Sequence, residues 1–159
     1  MVEADELRAV MGRFPAGVAV VSVALRDERL GLTVASLVSL SLEPPLVGFA
    51  IRRDAALHEL LRDAGRLAVS MLAAGQESTA QHFARGVPPI ALWTGIPLRD
   101  TAPDDPPELE GATAWLRCAI RAEHETGDHT LFVAEVEGAE LAPGDPQPLV
   151  FHGQTYTSL

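Results

Sequence analysis

Four short apolar runs stand between Val18 and Ile51, and each is closed by a turn signal before it reaches ordinary helix length. Val18–Leu25 is rich in valine. Arg26-Asp27-Glu28-Arg29 reads as a charged turn, and Leu30–Val34 resumes an extended run. Leu37–Leu42 alternates Leu or Val with Ser, the period of a strand with one buried and one polar face. Glu43-Pro44-Pro45 forces a break, and Leu46–Ile51 is again apolar.

Short helices precede and follow these runs. The spacing of Leu7, Val10, Met11 and Phe14 predicts a helix over Asp5–Phe14 with Asp5 as its N-cap. Leu57, Leu60 and Leu61 predict a helix over Ala55–Ala64, capped by Asp54 and closed by Gly65. Arg66–Leu72 reads as a strand and Glu77–Ala84 as a helix. Residues 86–110 are rich in proline and read as irregular surface loop. Trp115–Glu123 and Leu131–Leu141 predict two strands joined at His124–Thr130, with a last short strand at Leu149–Phe151. There is no long βαβ alternation, fixed-period repeat, GxGxxG or Walker A motif. The residues alone therefore predict one domain over 1–159, an antiparallel barrel with added helices.

Composition narrows the chemistry. At 47% hydrophobic and 21% charged residues the chain is of globular type. No apolar run approaches the roughly 20 residues needed to span a bilayer, and the acidic N-terminus is unlike a signal peptide. With a single cysteine, Cys118, this predicts a cytoplasmic protein without a membrane partner. Cys118 shares a strand face with Leu116 and Ile120 and reads as a core residue. The net charge of −10 is concentrated after residue 98, and no basic face for nucleic acid is evident. There is no lysine, so a side-chain cation for a phosphate must be Arg or a protonated His. His58, His82, His124 and His152 lack metal-ligand spacing, and no metal site is expected.

The stretch Gly31-Leu32-Thr33-Val34-Ala35-Ser36 sets small and hydroxyl residues between apolar strands. Small residues let a flat ring approach the backbone, and hydroxyls can bond ring carbonyls or phosphate. A strand with Ser and Thr facing solvent gives the same pattern.

Four segments, taken in order, go further. Gly31 to Leu46 reads G-[aliphatic]-T-x-x-S-x-x-S-x-S-L-x-P-P-L. Gly12-Arg13-Phe14-Pro15-Ala16-Gly17-Val18 reads G-R-F-x-x-G-V, Gly65–Ser70 reads G-R-L-A-V-S, and Gly127–Val136 reads G-D-H-x-x-F-x-A-E-V. Together these resemble the flavin reductase-like, FMN-binding split-barrel family, which includes reductase components of two-component flavin monooxygenases. The resemblance implies a mainly β, six-stranded antiparallel split barrel with a few short flanking helices, usually a homodimer. It also implies an NAD(P)H:flavin oxidoreductase using FMN, or FAD in its place, with NADH or NADPH as co-substrate. A monooxygenase component is the implied partner.

Residue by residue, the resemblance places Thr33, Val34, Ala35 and Ser36 in the flavin loop, with Ser39 facing the ligand. Ala35 stands where the family often has Asn or Ser. Ile51, Arg52 and Arg53 fall on its phosphate-binding segment, where Asp54 and Ala55 replace hydroxyl residues. Phe83 falls near the flavin, and Arg85 is a second phosphate candidate. His129 matches the histidine on the nicotinamide side, where an imidazole can stack on or hydrogen-bond the dinucleotide. Three readings stand open on the sequence: a flavin reductase, an FMN-binding electron-transfer protein without NAD(P)H activity, and a barrel that binds no flavin.

Overall fold

A computed structural model describes residues 1–159. Ten strands and four short helices follow one another as α1 (Ala4–Met11), β1 (Ala16–Gly17), β2 (Ala19–Leu25), β3 (Glu28–Val34), β4 (Val38–Leu42), β5 (Pro45–Arg52), α2 (Ala56–Ala64), β6 (Arg66–Met71), α3 (Glu77–Ala84), α4 (Pro89–Leu92), β7 (Ala114–Thr126), β8 (His129–Leu141), β9 (Leu149–His152) and β10 (Thr155–Ser158). The fold is mainly β, but the strand count differs from the expected six. The main sheet has seven strands in the order β3-β2-β6-β7-β8-β5-β4, all antiparallel, and β1-β9-β10 form a second small sheet.

Valine spacing explains the centre of the sheet. Ala19, Val21 and Val23 of β2 point into one core with Phe49, Ile51, Leu67, Val69 and Phe132, covered by Leu57, Leu60 and Leu61 of α2. Val18 and Val20 join a second core with Phe83 of α3, Leu92 of α4, Leu109 and Leu149. A strand buried on both faces needs a nearly continuous apolar run, which Ala19–Val23 supplies apart from Ser22, whose buried hydroxyl donates to the Pro107 carbonyl. Gly65 closes α2 in the left-handed region at φ 68°, its N–H donating to the Leu61 carbonyl, as the sequence predicts.

Other expectations change. Neither Asp5 nor Asp54 caps a helix: Glu3 and Ala55 hold the N-cap positions without a side-chain bond, Asp5 pairs with Arg8, and Asp54 pairs with Arg52. Each acid sits beside a guanidinium that outcompetes the exposed backbone N–H groups. The α1 stripe buries nothing; Leu7, Val10, Met11 and Phe14 all face solvent. β4, one of the two edge strands of the main sheet, has no buried face either. The 86–110 segment is not merely surface. It contains α4, and Glu108 and Leu109 are buried against the sheet.

The largest correction for function concerns the hairpin. β7 and β8 run through the predicted loop, and only Gly127-Asp128 makes the turn, with Gly127 at φ 65°. His129 is therefore a strand residue, opposite Thr126 on one side and Arg52 on the other. No helix of the chain is long and apolar enough to cross a membrane.

Candidate functional site

A groove of about 390 Å³ opens between β3, the turn leading from β5 into α2, and the end of α3. Leu30 and Leu32 form one wall, Phe83 and Ala84 another, and Val87, Pro88, Pro89 and Leu92 the third. Arg52 and Asp54 are the only charged residues along it. Its size and apolar lining suit a small organic ligand held by few polar groups.

The groove exists because of a short aromatic stack. Phe83 packs against Trp93 at 5.1 Å between ring centroids, and His82 meets Phe83 edge-on. The Trp93 indole N–H donates to the Arg29 carbonyl of β3 at 2.9 Å, and His82 Nε2 bonds the Leu92 carbonyl at 2.6 Å. These bonds hold the α4 segment away from α2 and leave the space between them.

Charge concentrates at one end. The Arg52 guanidinium donates from Nε and Nη2 to both carboxylate oxygens of Asp54, at 2.9 and 2.7 Å. One strand over, His129 Nδ1 donates to Asp128 at 2.7 Å, which leaves Nε2 free in the neutral ring. Arg52 holds the Asp54 carboxyl below the usual range chiefly through those hydrogen bonds, and His129 does the same for Asp128. An arginine–carboxylate ion pair and a histidine–carboxylate hydrogen bond thus lie side by side on neighbouring strands. Such a cluster can orient an anionic group and offer one imidazole nitrogen beside it.

A model of the flavin reductase-like domain matches residues 11–159. The chain belongs to the flavin reductase-like domain family. It is 39% identical over 156 residues to the reductase component of 4-hydroxyphenylacetate 3-monooxygenase of Thermus thermophilus, spanning 98% of this chain and 96% of that protein. It is 43% identical over 145 residues to an NADH-dependent FAD reductase of Streptomyces globisporus, spanning 87% of this chain and 76% of that one. Among solved structures it resembles the Streptomyces globisporus NADH:FAD oxidoreductase SgcE6 in complex with NAD and FAD fragments, with a TM-score of 0.91 at 36% identity over 100% of this chain and 96% of that one.

The flavin reductase-like residues named from the sequence divide into two groups. Arg52 and Phe83 line the groove, and His129 stands across from Arg52. The others lie outside the groove lining. The Thr33 hydroxyl donates to the Ala80 carbonyl of α3 at 2.7 Å, so its hydrogen is used within the protein. Val34 and Ile51 are core side chains. Ser36 joins β3 to β5: its hydroxyl accepts from the Ala50 N–H at 2.9 Å and donates to the Ala50 carbonyl at 3.4 Å. Ala35 and Ser39 are exposed. Arg53 turns toward the hairpin, donating to Gly127 and pairing with Glu125 at 3.3 Å. Arg85 reaches back to Gln81 at the exposed end of α3.

Gly31 also has a role different from the one its smallness suggests. A Cβ there would lie 3.0 Å from the Phe83 ring and 3.1 Å from Trp93, so the glycine admits the aromatic stack. Sequence reasoning passed over Leu30, Val87, Pro88, Pro89 and Leu92 as groove walls. The Pro88-Pro89 pair just past α3 was the available signal, since it prevents the helix from continuing and turns the chain back over β3.

Proposed function

We propose that the chain is an NADH-dependent flavin reductase that takes FMN or FAD and supplies reduced flavin to a monooxygenase component. The observation that carries this reading is the match along the whole chain to NADH:flavin reductases, with an apolar groove and the Arg52–Asp54 pair at its end. The fit to a flavin is chemical. Leu30, Leu32, Phe83, Pro88 and Leu92 offer flat apolar contact, and Arg52 offers a charged hydrogen-bonding fork for phosphate.

A bound flavin would supply the hydride-accepting N5, and NADH the hydride. The protein's own contribution is placement and exclusion of water. The groove walls hold the ring, and Arg52 anchors the phosphate end. Ser36, tied to Ala50, fixes the connection between β3 and β4, where Thr33, Val34, Ala35 and Ser39 complete the flavin loop in this reading. Ile51 contributes through its backbone alone. Arg53 and Arg85 add positive potential near the phosphates. His129, oriented by Asp128, presents Nε2 to the nicotinamide side.

The same reading makes residues 1–159 one cytoplasmic domain with a split-barrel sheet, closed from β3 to β5 through Ser36. It also makes the protein a homodimer: a second copy would cover Leu7, Val10 and Met11 of α1 and Phe14 just beyond it, which are too apolar to be left bare together. Light scattering on the purified protein gives the mass. The activity test is the loss of the nicotinamide absorbance band when NADH is mixed with protein and FMN or FAD. No loss with either flavin refutes the reductase assignment.

A further inference from the structure

We propose that Asp54 is an internal counter-ligand for Arg52, holding the guanidinium that a ligand's phosphate group would otherwise take, and so determines how weakly phosphate-bearing flavins are held. This rests on the groove being the flavin site.

The argument begins with what the groove lacks. Apart from Arg52 and Asp54, its lining side chains are Leu, Gly, Ala, Phe, Val and Pro. No hydroxyl, amide or second cation is there to bind a phosphate. Arg52 is therefore the only side chain of the lining with affinity for an anion. Asp54, two residues on, occupies the Nε and Nη2 edge of that guanidinium, the geometry a phosphate uses. A phosphate arriving at Arg52 must either displace the carboxylate or sit beside it on the remaining edge. In the first case it loses the energy of the existing pair. In the second it meets a like charge a few ångströms away.

The neighbours do not cancel this effect. His129 faces Arg52 from β8, but its Nδ1 is already committed to Asp128, a further carboxylate on the same rim. Arg53 is directed at Glu125 and Gly127. The N-terminus of α2 beside Asp54 carries no side-chain cap, yet that short helix adds only its partial charge.

Both members of the pair are well exposed, at 62% and 70% of the side-chain surface. Exposed pairs are weak, so Asp54 is displaced readily and its effect is a modest loosening and not a block. That suits a flavin used as an exchanging substrate: the apolar groove selects the ring, and the counter-ligand loosens the hold of Arg52 on the phosphate.

The test is flavin fluorescence titration of the full-length protein with FMN and, separately, with riboflavin, which has the same ring and no phosphate. Wild type, Asp54→Asn, Arg52→Gln and the double variant are compared. D54N is expected to tighten FMN by about three- to tenfold and to leave riboflavin within about twofold. In the R52Q background the same change is expected to yield less than about twofold, since there is no guanidinium to release. The proposal is overturned if D54N weakens FMN, if FMN and riboflavin shift together, or if the gain persists in full without Arg52. Riboflavin reports separately on the groove: if it binds no variant and not the wild type, the flavin reading itself fails, and this proposal with it.

Discussion

Arg52 and His129 stand directly opposite each other on β5 and β8, in neighbouring strands of one antiparallel sheet. Each carries its own carboxylate partner, Asp54 for the arginine and Asp128 for the histidine. Directly opposed residues have Cβ atoms about 5 Å apart. A ligand anchored by its phosphate near Arg52 therefore passes within reach of the free imidazole nitrogen.

His129→Ala should raise the apparent KM for NADH by about three- to tenfold, the loss of one hydrogen bond from a partly exposed group. Flavin affinity should stay within about twofold, since the groove walls and Arg52 are untouched. Asp128→Ala should give a smaller rise in KM, because the ring survives but loses its orienting partner. Steady-state kinetics with NADH varied, beside a flavin titration, separates the two effects. Equal loss of flavin binding in H129A would remove His129 from the nicotinamide side.

Gly31→Ala tests the origin of the groove. The new methyl would press on Phe83, which is 1% exposed, and on Trp93, whose indole N–H is fastened to Arg29. Neither ring can withdraw freely, so a cost of about 1–3 kcal/mol is expected, as for other overpacked cores. Urea denaturation measures it. A neutral substitution would mean that the aromatic stack moves as a unit.

Much of this arrangement could be read in advance, and the exceptions have physical causes. The valine run of β2, the Gly65 closure of α2 and the buried position of Cys118 follow from local pattern, because each depends on neighbours within a few residues. The contacts of Thr33 and Gly31 could not be read locally, because their partners, Ala80, Phe83 and Trp93, lie some fifty to sixty residues further along the chain. The Asp54 cap failed for a different reason: a local rule met a stronger local competitor, Arg52. His129 entered through the motif around Gly127 and not through periodicity. Its pairing with Arg52 depends on the register of β5 against β8, which no single segment specifies.

Glu108 shows the same dependence in the proline-rich segment. Its carboxylate is 2% exposed and accepts from Arg99 at 2.7 Å and from Arg117 at 2.5 and 3.0 Å, while Arg99 also lies 3.9 Å over the Trp115 ring. These bonds, with the Leu109 N–H donating to Ser70, fasten residues 97–110 across β6 and β7. Glu108→Ala would remove the buried member of this network and leave Arg99 and Arg117 with Glu140, at 2.6 and 3.3 Å, as their remaining shared partner. Breaking a buried pair costs about 3–5 kcal/mol, and the half-exposed Arg117 regains some hydration, so about 3 kcal/mol is expected. Chemical denaturation gives the value, and limited proteolysis should cut first within 97–107. A loss below about 1 kcal/mol would show that the network is ornamental to stability.

Cys118 supplies a test of the core that needs no substitution. Burial in the α2-covered core, with the Glu137 carboxylate nearby, pushes its thiol from 9.0 up to about 12. The native protein therefore keeps a proton that the unfolded chain releases once the pH passes about 9. Below that value the thiol has no effect on the pH dependence of stability. Between 9.0 and about 12 the unfolded state binds fewer protons than the native one, so stability should fall as pH rises. The thiolate is the reactive form, so a disulfide-exchange reagent at mildly alkaline pH should leave the folded protein unmodified and label one thiol per chain after denaturation. Replacing Cys118 with Ala should abolish the labelling and remove this component of the alkaline loss. Rapid labelling of the native protein would place Cys118 outside the core that α2 covers.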